Sequence, residues 1–335
     1  MLRFVSPVLL LVACLPPAMA GDARKDRETL AAIIRAAEAR QERCQSVRMV
    51  AHAESWSSPD QVRNAQRQAP DANVPDRFLE SGFRIRGHSS IAFDGTRVRH
   101  HLEGDSPRPP QWDVLERYEY IQVFDGQWFM HMSPPNENRN HWVIRNREQG
   151  RNYLHALPLP MLAYVRLRDS NWVSAAATVW GIAEKRVRIG TSDCVVVAFG
   201  DGISEFAFDP DNHWVLRRFL RPERDRDSRE IAAEEIEIEY SQPRGIDSRP
   251  IGWKHQFRKQ GKVQSEGRIK VIEWAVNPQW PPETFAIRFP ERSFVTEESA
   301  GKKPGPTSFV IDGEGKRIDL TAELLQDQAY LKLLK

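Results

Sequence analysis

Three times in this sequence an apolar residue is followed by Asp-Gly: Phe93-Asp94-Gly95, Phe124-Asp125-Gly126 and Ile311-Asp312-Gly313. Asp-Gly tolerates positive φ at both positions of a two-residue turn, and that turn matches the twist of paired strands. Each site therefore predicts a tight hairpin, and the flanking segments alternate as strands do. Residues 46–56 place Val47, Met49, Ala51 and Ala53 on one face. Residues 83–93 place Phe83, Ile85, Ser89, Ile91 and Phe93 on one side and Arg84, Arg86 and His88 on the other. Residues 96–102 follow through Asp94-Gly95. Asp209-Pro210-Asp211-Asn212 separates 203–208 from 213–220, and 229–240, 250–259 and 263–275 continue the series. The chain reads as consecutive antiparallel hairpins, a meander, without the regular turn spacing of a propeller.

Other segments break the alternation. Leu30, Ile33, Ile34, Ala37 and Cys44 recur at helical spacing and predict an amphipathic helix ending near Gln45. Residues 57–81, polar and rich in Pro, Gln and Arg, read as an extended excursion between strands. In 147–180, Pro158 and Pro160 deny a ladder role, so short helices lying over the sheet are expected. Residues 296–308 have a linker's composition, and 309–335 read as one hairpin and a helix.

Met1–Ala20 has the layout of a secretory leader: one Arg, an apolar run too short to span a bilayer, and Ala18-Met19-Ala20 as a cleavage site. A lipobox reading of Leu11-Val12-Ala13-Cys14, with Cys14 lipidated, stands beside simple cleavage. Either route takes the chain out of the cytoplasm, to the periplasm or another extracytoplasmic space. The expected organisation is a signal peptide over 1–20, a β domain over 21–296, and a linker with a hairpin and helix tail over 297–335. The formal charge of +2 loses Arg3 with the leader and becomes +1, which points to no nucleic-acid partner. Cys44 and Cys194 survive cleavage; a bridge between them and two buried free thiols are both open readings.

Chemistry-bearing motifs are sparse. G-x-S-x-G, H-E-x-x-H, P-loop and EF-hand patterns do not occur in the sequence. His100-His101 would point to opposite strand faces, so neither metal nor cofactor is expected. Glu234 to Glu239 reads as a strand with a solvated acidic face, and Arg217 to Arg226, interleaved with acids, as a charged hairpin tip or a lipid-headgroup contact. No nucleophile and base can be nominated, so the chain is not expected to be an enzyme. Ten Trp and fifteen Phe are more suggestive. A curved sheet lined by Tyr118, Tyr120, Trp128, Met130 and Met132 can enclose an apolar cavity, or these residues can fill a core. The Pro-broken cover at 154–165, with Leu157, Met161 and Leu162, is what entry to a cavity would need.

The order of elements resembles the lipoprotein-sorting carriers (LolA/LolB-like) and the related RseB-like sensor domain. The resemblance rests on the leader, the helix, Ser46-Val47-Arg48-Met49-Val50, the F-D-G hairpins, Val276-Asn277-Pro278, Pro281-Pro282-Glu283-Thr284-Phe285, Phe289-Pro290 and Phe294-Val295-Thr296. It covers roughly residues 26–296. It implies a mainly β, half-open antiparallel barrel or curved sheet wrapped around the helix, with a short helical lid. It also implies an extracytoplasmic binding protein holding a lipid or lipoprotein acyl chain, or alternatively a regulatory module for a membrane-associated protein. The family's cavity-locking arginine would fall on Arg84, Arg86 or Arg99.

Overall fold

The computed structural model describes residues 17–68, 74–108, 111–133, 140–146, 158–164, 180–199, 204–224, 231–242, 245–298, 307–326 and 329–334. A helix, α1 (Pro17–Arg43), leads into a sheet of sixteen strands. Two meanders make up most of it. The first runs β1 (Val47–Ser57), β2 (Phe83–Phe93), β3 (Val98–Arg108), β4 (Gln111–Phe124), β5 (Trp128–Ser133) and β6 (Asn140–Asn146). The second runs β7 (Trp180–Ile189), β8 (Ser192–Phe199), β9 (Ser204–Asp209), β10 (Val215–Arg224), β11 (Ile231–Tyr240), β12 (Pro250–Lys259) and β13 (Lys262–Val276). Antiparallel pairing of β1 with β13 joins them. β14 (Ser293–Glu298) then pairs parallel to β6, and β15 (Thr307–Ile311) and β16 (Arg317–Asp319) extend that side, so the C-terminal strands belong to the same sheet. The sheet is open, with β16 and β7 at its ends.

Alternation decides which face is inside. Val47, Met49 and Ala51 of β1 are buried and pair with Phe93, Ile91 and Ser89 of β2. They join one core cluster with Ile33 and Ala37 of α1, Phe129 of β5 and Val197 of β8. β5 and β8 stand ten strands apart in the sheet order, about 48 Å if the sheet were flat. A single helix is only about 10–12 Å across, so the sheet curves around α1. The opposite, convex face carries a second cluster at one end (Val123, Met130, Met132, Trp142, Val295 and Phe309) and a small one near β8 (Ile189, Cys194, Val196 and Ala207).

The turns show how Asp-Gly works here. Neither Asp94, Asp125 nor Asp312 has positive φ. The Asp94 carboxylate instead accepts from the N–H groups of Thr96 (3.2 Å) and Arg97 (2.7 Å), and Gly95 alone takes φ 90°. Asp125 accepts from Gln127 and Trp128, and Asp312 from Glu314 and Lys316, in the same way. The aspartate is a side-chain brace on the turn, not its first left-handed residue.

Among the described residues of 57–81, the expected extended excursion is replaced by helices. These are α2 (Pro59–Gln68) and α3 (Asp76–Ser81), which bury Val62 and Val74 against Phe78, Leu79 and Phe83. Ser58 starts α2 by accepting from the N–H of Gln61 at 3.3 Å, with Pro59 in the first turn, where its missing N–H costs nothing. Within 147–180 the described helix is α4 (Leu159–Leu162). The described part of the expected C-terminal helix comprises α5 (Ala322–Gln326) and a 3-10 turn over Ala329–Lys332.

Asn277 ties the end of β13 to the end of α1. It sits at φ 50°, accepts from the N–H groups of Gln45 and Ser46 (both 3.1 Å), and donates to the Arg43 carbonyl at 2.8 Å. One side chain thus caps the helix and fixes where β1 begins. Asn277→Ala should lower unfolding stability by about 1–2 kcal/mol, the scale of a lost cap, with Asn277→Asp recovering only part because a carboxylate cannot donate to the Arg43 carbonyl; urea denaturation measures both.

Candidate functional site

The concave face beneath α1 is mainly apolar, and among the described residues α1 and the short segment Pro158–Tyr164 cover it. Met161 is fully buried there. Tyr164 stands edge-on to Trp274 with centroids 5.2 Å apart, and burial pushes its phenol up to about 12. Beneath it lies Arg40 of α1, 3% exposed, its Nη2 donating to the His213 carbonyl at 2.7 Å and its carbon 5.8 Å from the Tyr164 ring centroid. The Arg40 Nε has no hydrogen-bond partner. Burial lowers the Arg40 pKa, against the nearby Tyr240, Tyr164 and Cys44.

The expected lining residues do not form one surface. The β4–β5 register pairs Val123 with Met130 and Phe124 with Phe129. Directly paired residues share a face, so Phe124, and by alternation Tyr120, face inward with α1. Met130 and Met132 pack on the convex face with Trp142 and Phe309, and alternation puts Trp128 on that face too. Met161 belongs to the concave core, separate from Met130 and Met132. Leu157 and the side chains of Tyr118 and Leu162 lie outside the described residues. Cys44 and Cys194 are both free thiols in different clusters, so the bridge reading is replaced by two buried thiols. Burial raises Cys44 to about 12 and Cys194 to about 11. Arg84 and Arg86 point to the convex face, where both approach Glu54, at 2.8 and 3.9 Å.

His100 and His101 split as alternation requires: the Ser89 hydroxyl lies 3.1 Å from His100 on the concave side, and Glu119 lies 2.8 Å from His101 on the other. Among the described residues no three His, Cys, Asp or Glu side chains gather to hold a metal ion. The acidic run is paired across strands. Glu234 meets Arg221 at 2.7 Å and His255 at 3.0 Å, and the His255 bond holds its carboxyl below the usual range. Arg218 lies 3.8 and 3.9 Å from Glu205 and Glu235. Arg218 and Arg221 therefore pair across the ladder between β9, β10 and β11, and the hairpin tip at 225–230 lies outside the described residues.

A cleft of about 1150 Å³ lies on the convex face across β4, β3, β2, β1, β13, β12 and the end of β11. Register places its side chains in two transverse rows. One reads Glu239, Gly252, Lys270, His52, His88 and Glu103. The other reads Lys254, Arg268, Glu54, Arg86, Asp105 and Arg117. The His52 and His88 rings sit 4.7 Å apart at the centre. Charges of both signs neutralise one another here: Arg84 bonds Glu54, Arg117 bonds Glu103, and Lys254 and Arg268 share Glu266. Alternation in the sequence displays each of these residues, but the rows appear only once register is known.

Glycine lets the sheet bend beneath this cleft. Gly87 pairs with Gly104, and a Cβ on Gly87 would lie 2.0 Å from the Glu103 carbonyl oxygen. Gly87→Ala should therefore push β2 from β3 and cost about 2 kcal/mol or more, read as a lowered melting temperature and faster amide exchange in both strands.

No family model matches the sequence, and no curated protein matches it. Among solved structures the chain is similar to a LolA superfamily protein of Nitrosomonas europaea, with 8% identity, a TM-score of 0.38, and coverage of 75% of this chain and 96% of that one.

Proposed function

We propose that this protein is a non-enzymatic extracytoplasmic binding protein that holds an acyl chain or similar lipophilic ligand against the concave face of its sheet. One observation carries the reading: an apolar face contributed by strands from β2 to β13 and on to β8 is covered, among the described residues, by helix α1 and the Pro158–Tyr164 segment rather than by a second sheet. A cover of that kind can lift without breaking a strand ladder. Each methylene then buried would contribute about 0.8 kcal/mol, so an acyl chain could offset the loss of the Met161 and Tyr164 contacts. The leader pattern in Met1–Ala20 and the likeness of element order to the lipoprotein-sorting carriers support the same reading. A second reading, a module docking a membrane-associated protein, is favoured by the two rows of charged side chains in the convex cleft.

Native mass spectrometry of protein purified without detergent, followed by solvent extraction, tests the first reading. A stoichiometric lipid, or uptake of an added fluorescent acyl probe, is expected; an apo mass with no uptake overturns it and turns attention to the convex cleft. Met161→Gln should weaken probe retention severalfold, whereas Met130→Ala, on the convex side, should cost about 2–4 kcal/mol of stability and leave retention unchanged. Equal effects of the two on retention would remove Met161 from the site.

A further inference from the structure

Arg40 is the anomaly of the concave core. It is 3% exposed and belongs to the cluster end of α1, among Cys44, Tyr164 and Tyr240. An arginine remains charged under any physiological condition and carries five N–H donors. Among the described residues it has a hydrogen bond to the His213 carbonyl and a ring contact with Tyr164, and its buried Nε has no partner. Among the described residues no carboxylate pairs with it. Tyr240, the neighbour best placed to answer it, donates its own hydroxyl to the Leu216 carbonyl at 3.0 Å and is pushed far up by burial, so it stays neutral. A buried charge without a counter-ion is costly, and a methionine of similar reach would pack the same space without that cost.

Its position suggests what offsets the cost. Tyr164 covers both the guanidinium of Arg40 and the indole of Trp274. Movement of the Pro158–Tyr164 segment would therefore uncover, in one step, an apolar floor and an unpaired cation next to it. We propose that Arg40 is the counter-ion for an anionic headgroup, so that the ligand of the concave face is an acidic amphiphile: a long-chain carboxylate lying with its head on Arg40 and its chain along the strands. This rests on the binding role proposed above and narrows it to a ligand class. The interaction would be a charge-assisted hydrogen bond in a site with little water, the setting in which such bonds are strongest.

The test uses the full mature chain, stripped of lipid, with cis-parinaric acid and its methyl ester as fluorescent probes. The wild type should bind the acid about tenfold more tightly than the ester, the scale of one charge-assisted bond. Arg40→Met should abolish that preference by weakening the acid alone, with an unchanged or raised melting temperature; Arg40→Lys should keep part of it. Equal wild-type affinity for acid and ester, or equal weakening of both by Arg40→Met, would overturn the headgroup assignment while leaving the binding role standing. Binding of neither probe would remove both. Should Arg40→Met fail to fold, Arg40→Lys decides: weaker binding of the acid with unchanged binding of the ester supports the assignment, and equal weakening of both overturns it.

Discussion

The pairing of β1 with β13 holds this molecule together. It is the ladder that makes one sheet from two meanders, and it joins residues more than two hundred positions apart in sequence. Local hairpins form cheaply, but this contact must first meet the entropy of closing the whole intervening loop. Asn277 helps to fix it: a left-handed residue whose amide both accepts from the start of β1 and donates to the end of α1. A register slip of one residue would turn Val47, Met49 and Ala51 outward and remove the floor on which α1 sits. The pairing also contains its own irregularity, a bulge opposite Val50 and Ala51 that leaves Ile272 at 56% exposure. Such a bulge increases local twist and sits beside the region where the convex face becomes a cleft.

Curvature gives the two faces different chemistry. The concave face is mainly apolar; the convex face carries apolar clusters, one of them covered by Phe289 against Trp142 and Phe309. Between the convex clusters lie the charged rows. Their ion pairs are largely exposed, such as Arg268–Glu266 with Arg268 at 64%, and contribute little to stability. Their mixed signs keep the sheet from joining another sheet face to face. The concave side shows the opposite economy: Arg40, almost fully buried, stands among mainly aliphatic and aromatic side chains.

Most of the strands were legible because hydrophobic alternation is a local signal. β2 and β12 fall on the expected boundaries, and Asp209-Pro210-Asp211-Asn212 does break β9 from β10. What failed were inferences needing a second dimension. Met130 and Tyr120 each lie in an alternating strand, yet whether they face each other depends on the parity of the β4–β5 pairing. A turn centred on Asp125-Gly126 pairs Phe124 with Gln127; the observed one pairs Phe124 with Phe129. Both have the same parity, so the separation of the tyrosine and methionine stripes could be read by counting across the hairpin. α2 was missed for a different reason: its buried side is essentially Val62, too little for a period to show, and Ser58-Pro59 was its only local mark.

Arg40 belongs to neither kind of failure. In the sequence it is one of several charged residues on a helix whose apolar stripe includes Ala37 and Ile33, three and seven positions earlier. That spacing places Arg40 on the buried face as the next member of the stripe. A charged residue in a core-facing position ordinarily argues that the helix has rotated or ended. Here the helix continues to Arg43 and Arg40 remains inside. Helical phase therefore predicts the burial, while only the fold shows that no acid comes to meet it among the described residues. The fold also supplies the Tyr164 ring above it, on a segment that can be lost without opening a strand ladder. A cation in this position makes the concave face selective as well as apolar: a neutral chain would bury the same area but leave the guanidinium as unpaired as before.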